Sequence, residues 1–139
     1  MFKNILITTL FFTLISCNLQ PPKQFSEPVL AEMLKTEDGN HITFQEILEN
    51  NKGKVIFVDV WASWCKDCIE AIPDIKELQK EHNEVTFLFL SLDKNERLWL
   101  KALEKYNLEG SHYFIQSGWD GTLGEFLNLN WIPRYLIID

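Results

Sequence analysis

Two unbroken apolar runs, "KVIFVDV" (54–60) and "VTFLFLSL" (85–92), constrain the fold of this chain more than any other feature. Both are rich in β-branched and aromatic residues. Neither alternates with polar positions in the way a half-exposed strand does. Each therefore suits a strand covered on both faces, as in a parallel sheet. Between them Ile69, Ile72, Ile75 and Leu78 recur every third residue, which makes one buried stripe along a helix. Strand, helix, strand is a βαβ unit, whose crossover is expected to be right-handed.

The flanking segments extend this α/β reading. "VLAEMLKTEDGNHI" (29–42) reads as a short hairpin turning at Asp38-Gly39. Thr43 and Glu46 stand at capping-box spacing, and Phe44, Ile47 and Leu48 follow on one helical face. Trp99, Ala102, Leu103 and Tyr106 mark a second long helix. A short strand is expected at 113–115, one or two helical turns in "LGEFLNL", and a strand after the proline of "WIPRYLIID". A chain of 139 residues has room for one domain. Its 46% hydrophobic and 13% aromatic content supplies a core and excludes disorder. The net charge of −7 argues against a nucleic-acid partner, which would require a basic patch.

The first residues are read as a leader. After "MFK" comes the apolar run "NILITTLFFTLIS", the length of a signal-peptide core and too short to span a bilayer. It ends in "LISC", Leu14 to Cys17, which resembles the bacterial lipoprotein box. That resemblance implies removal of residues 1–16 and lipid on Cys17; the alternative is an ordinary signal peptide with an incidental cysteine. Either way the protein leaves the cytosol. The proline-rich stretch 17–28 then reads as a tether, and 29–139 as the folded domain.

With Cys17 lipidated, Cys65 and Cys68 of "WASWCKDC" remain as the thiols available to pair. Zinc would require two further cysteines or spaced histidines, and His41, His82 and His112 are scattered. The motif lies where a buried strand ends and a helix begins. There the free N–H groups and the macrodipole favour a Cys65 thiolate. Cys68 falls one turn later on the same face, close enough to close a disulfide.

"VDVWASWCKDC", with Pro73 and the distant "IPRYLIID", resembles the active-site framework of the thioredoxin superfamily, in particular its membrane-tethered extracytoplasmic reductases of the TlpA/ResA type. The resemblance implies a thioredoxin-like fold, a central mixed sheet flanked by helices. It also implies a further strand and closing helix after Asp139. By the same resemblance Cys65 is the nucleophile, Cys68 the resolving cysteine, Trp64 a docking indole, Pro73 a helix kink, and Pro133 a cis-proline whose neighbour Ile132 pairs with substrate backbone. Trp64 has the alternative of a core aromatic. Arg134 stands where many relatives carry Thr.

Asp59, inside an apolar strand and six residues before Cys65, matches the buried acid of thioredoxins that exchanges protons with the resolving thiol. A raised pKa would suit that task. The alternative is a strand-end carboxylate that accepts loop N–H groups. Three features depart from the family. Ala71 replaces the Glu common in tethered reductases, with Glu70 one residue early. Lys66-Asp67 replaces Gly-Pro. The chain stops inside a central strand.

The reading is an extracytoplasmic thiol–disulfide oxidoreductase that reduces protein disulfides and uses no organic cofactor or metal. Its partners are disulfide-bearing envelope proteins, a membrane electron donor, and the membrane itself through the lipid anchor. The alternative is a copper-binding maturation factor on the same fold, with His112 as the ligand to test beside the cysteine pair. A non-catalytic adaptor is opposed by the intact C-x-x-C, and a peroxidase by the absence of Thr and Pro before the cysteine.

Overall fold

The computed structural model describes residues 24–139; the expected leader, Cys17 and most of the tether lie outside the described residues. In chain order the elements are α1 (Glu27–Leu30), β1 (Met33–Thr36), β2 (His41–Thr43), α2 (Phe44–Asn50), β3 (Ile56–Trp61), α3 (Lys66–Glu81), β4 (Thr86–Ser91), α4 (Glu96–Tyr106), β5 (Ser111–Phe114), α5 (Thr122–Phe126) and β6 (Arg134–Ile138), with a 3-10 turn at Gly118–Asp120 ahead of α5.

The six strands form one sheet in the order β2-β1-β5-β4-β3-β6. β3, β4 and β5 run parallel, whereas β1 lies antiparallel to β5 and β2, and β6 antiparallel to β3. The sheet is mixed, and helices flank it as the sequence leads one to expect. The two apolar runs become β3 and β4 at its centre, and nearly every residue of each is buried.

Residues directly opposite in a ladder share a face. Phe57, Asp59 and Trp61 of β3 therefore point the same way as Phe87, Phe89 and Ser91 of β4, and as Tyr135 and Ile137 of β6. This face lies under α3 and α4: Asp74 of α3 reaches Tyr135 electrostatically, and Trp99 of α4 stacks on Phe114 with centroids 5.7 Å apart. The other face, with Ile56 and Ile138, is covered by α1, α2 and α5.

Local chemistry accounts for the element ends. Thr43 caps α2 in a full capping box: Glu46 N–H donates to Thr43 Oγ1 at 3.1 Å and Thr43 N–H to Glu46 Oε2 at 2.8 Å. Such a cap contributes about 1 kcal/mol. Gly39 turns the β1–β2 hairpin at φ +85°. Gly110 enters β5 at φ +132°, where a Cβ would stand 2.7 Å from Phe87 O, so only glycine fits.

The folded part begins earlier than Val29, which corrects the sequence reading. Residues 27–30 form a helical turn instead of the start of the hairpin, and Phe25 packs edge-on against Phe44 at 5.0 Å and beside Phe126 at 5.2 Å. A single phenylalanine in a polar, proline-rich stretch gives no periodic signal, and its partners lie on α2 and α5.

Candidate active site

β3 delivers the chain to a short loop, and α3 starts at Lys66 with Cys65 as its N-cap. Cys65 and Cys68 are joined in a disulfide with their Cα atoms 5.3 Å apart, and both are buried. Cys68 N–H donates to Cys65 Sγ at 3.1 Å, so the sulfur does the work that a Ser or Asp side chain does at other helix starts. In the reduced protein the same N–H and the positive end of the α3 dipole favour a Cys65 thiolate.

The second side of the site comes from the far end of the chain. β6 pairs antiparallel with β3 from Val60↔Arg134 onward, which sets the residues before β6 beside the end of β3. Ile132 O lies 3.7 Å from Cys65 Sγ, and the Ile132–Pro133 bond is cis. Pro73 sits inside α3, where it leaves the carbonyl of Ile69 without its helical donor.

Asp59 is buried on the sheet face beneath α3, and its Oδ1 has no hydrogen-bond partner. Loop N–H groups thus do not satisfy that oxygen. Burial in apolar surroundings pushes the Asp59 carboxyl up to about 7. Tyr135, directly opposite on β6, is pushed up to about 12 by burial and by the negative charges of Asp59 and Asp74.

A second buried acid escaped the sequence reading. Asp93, just after β4, accepts from Ser63 N–H at 3.1 Å, from Ser63 Oγ at 2.5 Å and from Ser91 Oγ at 2.9 Å. It thereby ties the loop leading into Cys65 to the end of the neighbouring strand, alongside the Leu92 N–H···O Trp61 bond of 2.8 Å. The available signal was an acid ending an apolar run, "FLFLSLD", a weaker signal than the acid inside a run that singled out Asp59. Asp93→Ala is expected to destabilise the fold by about 2–3 kcal/mol, because it strands buried donors that now meet a carboxylate. Denaturant unfolding checks this, and an unchanged midpoint would refute the clamp.

The tryptophans separate by burial. Trp61 and Trp99 are core residues, whereas Trp64 is 49% exposed beside Cys65, so its alternative as a core aromatic does not hold. Trp119, with its centroid 6.5 Å from that of Trp64, and the exposed Trp131 stand around the same sulfur; neither was read from the sequence as a site residue. Lys66 pairs with Glu70 at 3.4 Å, an exposed bond of the kind that contributes little. His112 stacks on Phe89 at 4.9 Å, and its Nε2 lies 3.0 Å from Leu108 O. Burial lowers its pKa, against smaller raising effects of the Leu108 carbonyl and Glu37. His112 stands on β5 opposite Phe89 and does not line the groove beside Cys65, and among the described residues no group of three His, Cys, Asp or Glu is placed to hold a metal ion.

Comparison with known proteins places this framework. Over 79 residues the chain is 33% identical to the thioredoxin-like protein YneN of Bacillus subtilis, covering 54% of this chain and 44% of that one. Over 64 residues it is 35% identical to the thiol-disulfide oxidoreductase ResA of Bacillus cereus, covering 45% and 37% respectively. The chain spans less than half the length of the curated relatives it matches. A solution structure from Bacteroides vulgatus, assigned as a thiol-disulfide oxidoreductase, superposes with a TM-score of 0.67 at 31% identity, covering 84% of this chain and 75% of that one. A family profile described as thioredoxin-like matches residues 53–139, the stretch that holds β3, the Cys65–Cys68 helix and Pro133, and the chain belongs to that family.

Proposed function

We propose that this chain is a thiol–disulfide oxidoreductase that reduces protein disulfides outside the cytoplasm. The observation that carries the reading is the Cys65–Cys68 pair at the start of α3, within disulfide distance and with Cys68 N–H on Cys65 Sγ. In the reduced protein the Cys65 thiolate attacks one sulfur of a partner disulfide, and the partner's other sulfur leaves as thiolate. Cys68 then attacks Cys65 Sγ and releases the partner's second thiolate. Two electrons pass to the partner, and the Cys65–Cys68 disulfide forms.

Asp59 is the base proposed for Cys68, a role that suits a carboxyl titrating near neutrality. Trp64 and Ile132 border Cys65, and together with Pro133, which follows Ile132 through a cis bond, they are proposed to dock the partner. Asp67 in the first turn of α3 works against an over-stable Cys65 thiolate, the feature that makes a strong oxidant. That supports the reducing direction, with a membrane electron donor to restore the dithiol. The leader and "LISC" support export and a lipid on Cys17. No helix among the described residues is long and apolar enough to cross a membrane.

Pre-reduced protein, freed of reductant, should convert one disulfide per molecule in a disulfide-bonded test protein while its own dithiol is oxidised. No loss of its thiols would overturn the activity. For the anchor, a fatty-acid analogue should label wild type in a bacterial host and spare Cys17→Ala; equal labelling would end that part of the proposal.

A further inference from the structure

We infer that Trp119 and Trp131 form a specificity subsite for one large apolar side chain adjoining the reacting cysteine of an extended substrate segment. This rests on the exchange reading above and adds the substrate class. A groove of about 430 Å³ adjoins Cys65, walled by Trp64, Trp119, Trp131 and Ile132, with Lys66, Asp67 and Asn130 also lining it. Cys65 lines this groove, so residues flanking a disulfide presented to it there meet these walls, and the groove's chemistry bears on substrate choice.

The walls are built and braced. Trp131 is 57% exposed, yet the Arg134 guanidinium sits over its ring at 4.7 Å. Arg134 is itself held by Nη1 donating to Leu127 O at 3.0 Å. Trp119 rides on the 3-10 turn that Glu32 holds from both sides. Glu32 accepts from the hydroxyls of Ser117 and Thr122, and from Leu123 N–H at 2.6 Å. Beneath it Gly124 leaves no room for a side chain, since a Cβ would stand 2.1 Å from Trp119 O. Two independent anchors thus hold two indoles around the sulfur, and a preorganised wall loses little freedom on binding. Covering exposed indole with a large apolar side chain removes apolar surface on both partners, the main source of affinity in such contacts. Arg134 already occupies a face of Trp131, which leaves that face unavailable to a substrate cation.

The test uses the full chain, reduced with dithiothreitol and then freed of it. Three peptides differ only in Phe, Ser or Arg next to their one cysteine, each as a mixed disulfide with the same small thiol; 2-hydroxyethyl disulfide is run alongside. Wild type should react with the Phe peptide about tenfold faster than with the Ser peptide. Trp131→Ala and Trp119→Ala should each bring that ratio towards one; because it is a ratio, a general loss of activity does not imitate the effect. Equal Phe and Ser rates in wild type, a preference for Arg, or a ratio unmoved by both variants would overturn the subsite. If no disulfide, the small one included, oxidises the protein, the exchange reading itself falls.

Discussion

Asp59→Asn is expected to stabilise the oxidised protein by roughly 3–4 kcal/mol at about pH 8, and to change little at about pH 3. Asp59 is buried without a partner for Oδ1, and burial pushes its carboxyl from 3.8 up to about 7. The folded state therefore holds a proton that the unfolded state has released throughout the window between those values. Stability conferred by the protonated group is complete below the unfolded value and is lost as pH rises through the folded one. An amide carries no charge at any pH, so the gain from the variant should open across that window and level off above it. Denaturant unfolding across the pH range measures this directly. A constant difference between variant and wild type would mean that Asp59 is not the titrating group. If Asp59 is also the base for Cys68, the more stable variant should resolve mixed disulfides more slowly at neutral pH, a stability gain at the expense of function.

Cys68→Ser is expected to stop the reaction at the mixed disulfide, and Cys65→Ser to prevent it from starting, each cutting turnover by about a thousandfold or more. The two cysteines differ in their relation to the helix. Cys65 is the N-cap, with Cys68 N–H directed at its sulfur and the groove beside it, whereas Cys68 lies inside the first turn and is more deeply covered. On the proposed exchange a partner sulfur reaches Cys65, and Cys68 then displaces it. Non-reducing electrophoresis after mixing with oxidised partner proteins should show covalent adducts for Cys68→Ser and none for Cys65→Ser. Equal adduct formation by the two variants would mean that the assignment of roles is wrong.

The relation between Trp61 and Trp64 shows where a sequence reading runs out. Both indoles flank the same motif. Trp61 still belongs to β3 and shares the buried face of Phe57 and Asp59, while Trp64 has left the strand for the loop and lies open beside Cys65. Three residues separate a core side chain from a surface one, and only the end of the strand distinguishes them. Phe25 makes the complementary case, a core contact hidden in a polar segment because its neighbours come from elsewhere in the chain.

The sequence by itself determined much of what depends on residues a few positions apart, though not the α1 turn at Glu27–Leu30. Unbroken apolar runs specified β3 and β4, the three-residue recurrence specified α3, Thr43 and Glu46 specified the start of α2, and Cys65 with Cys68 fell at a helix start. These are properties of local backbone geometry and solvent exclusion, and periodicity records them. Tertiary structure alone decided the strand order and what it brings together. The antiparallel seat of β6 beside β3 carries Ile132 to within 3.7 Å of a sulfur 67 residues away. Asp93 reaches Ser63 across 30 residues, and Trp119 and Trp131 meet Trp64 in one groove. No local pattern encodes such meetings, because the free energy that favours them comes from burying apolar surface between distant segments and from pairing the polar groups trapped between them.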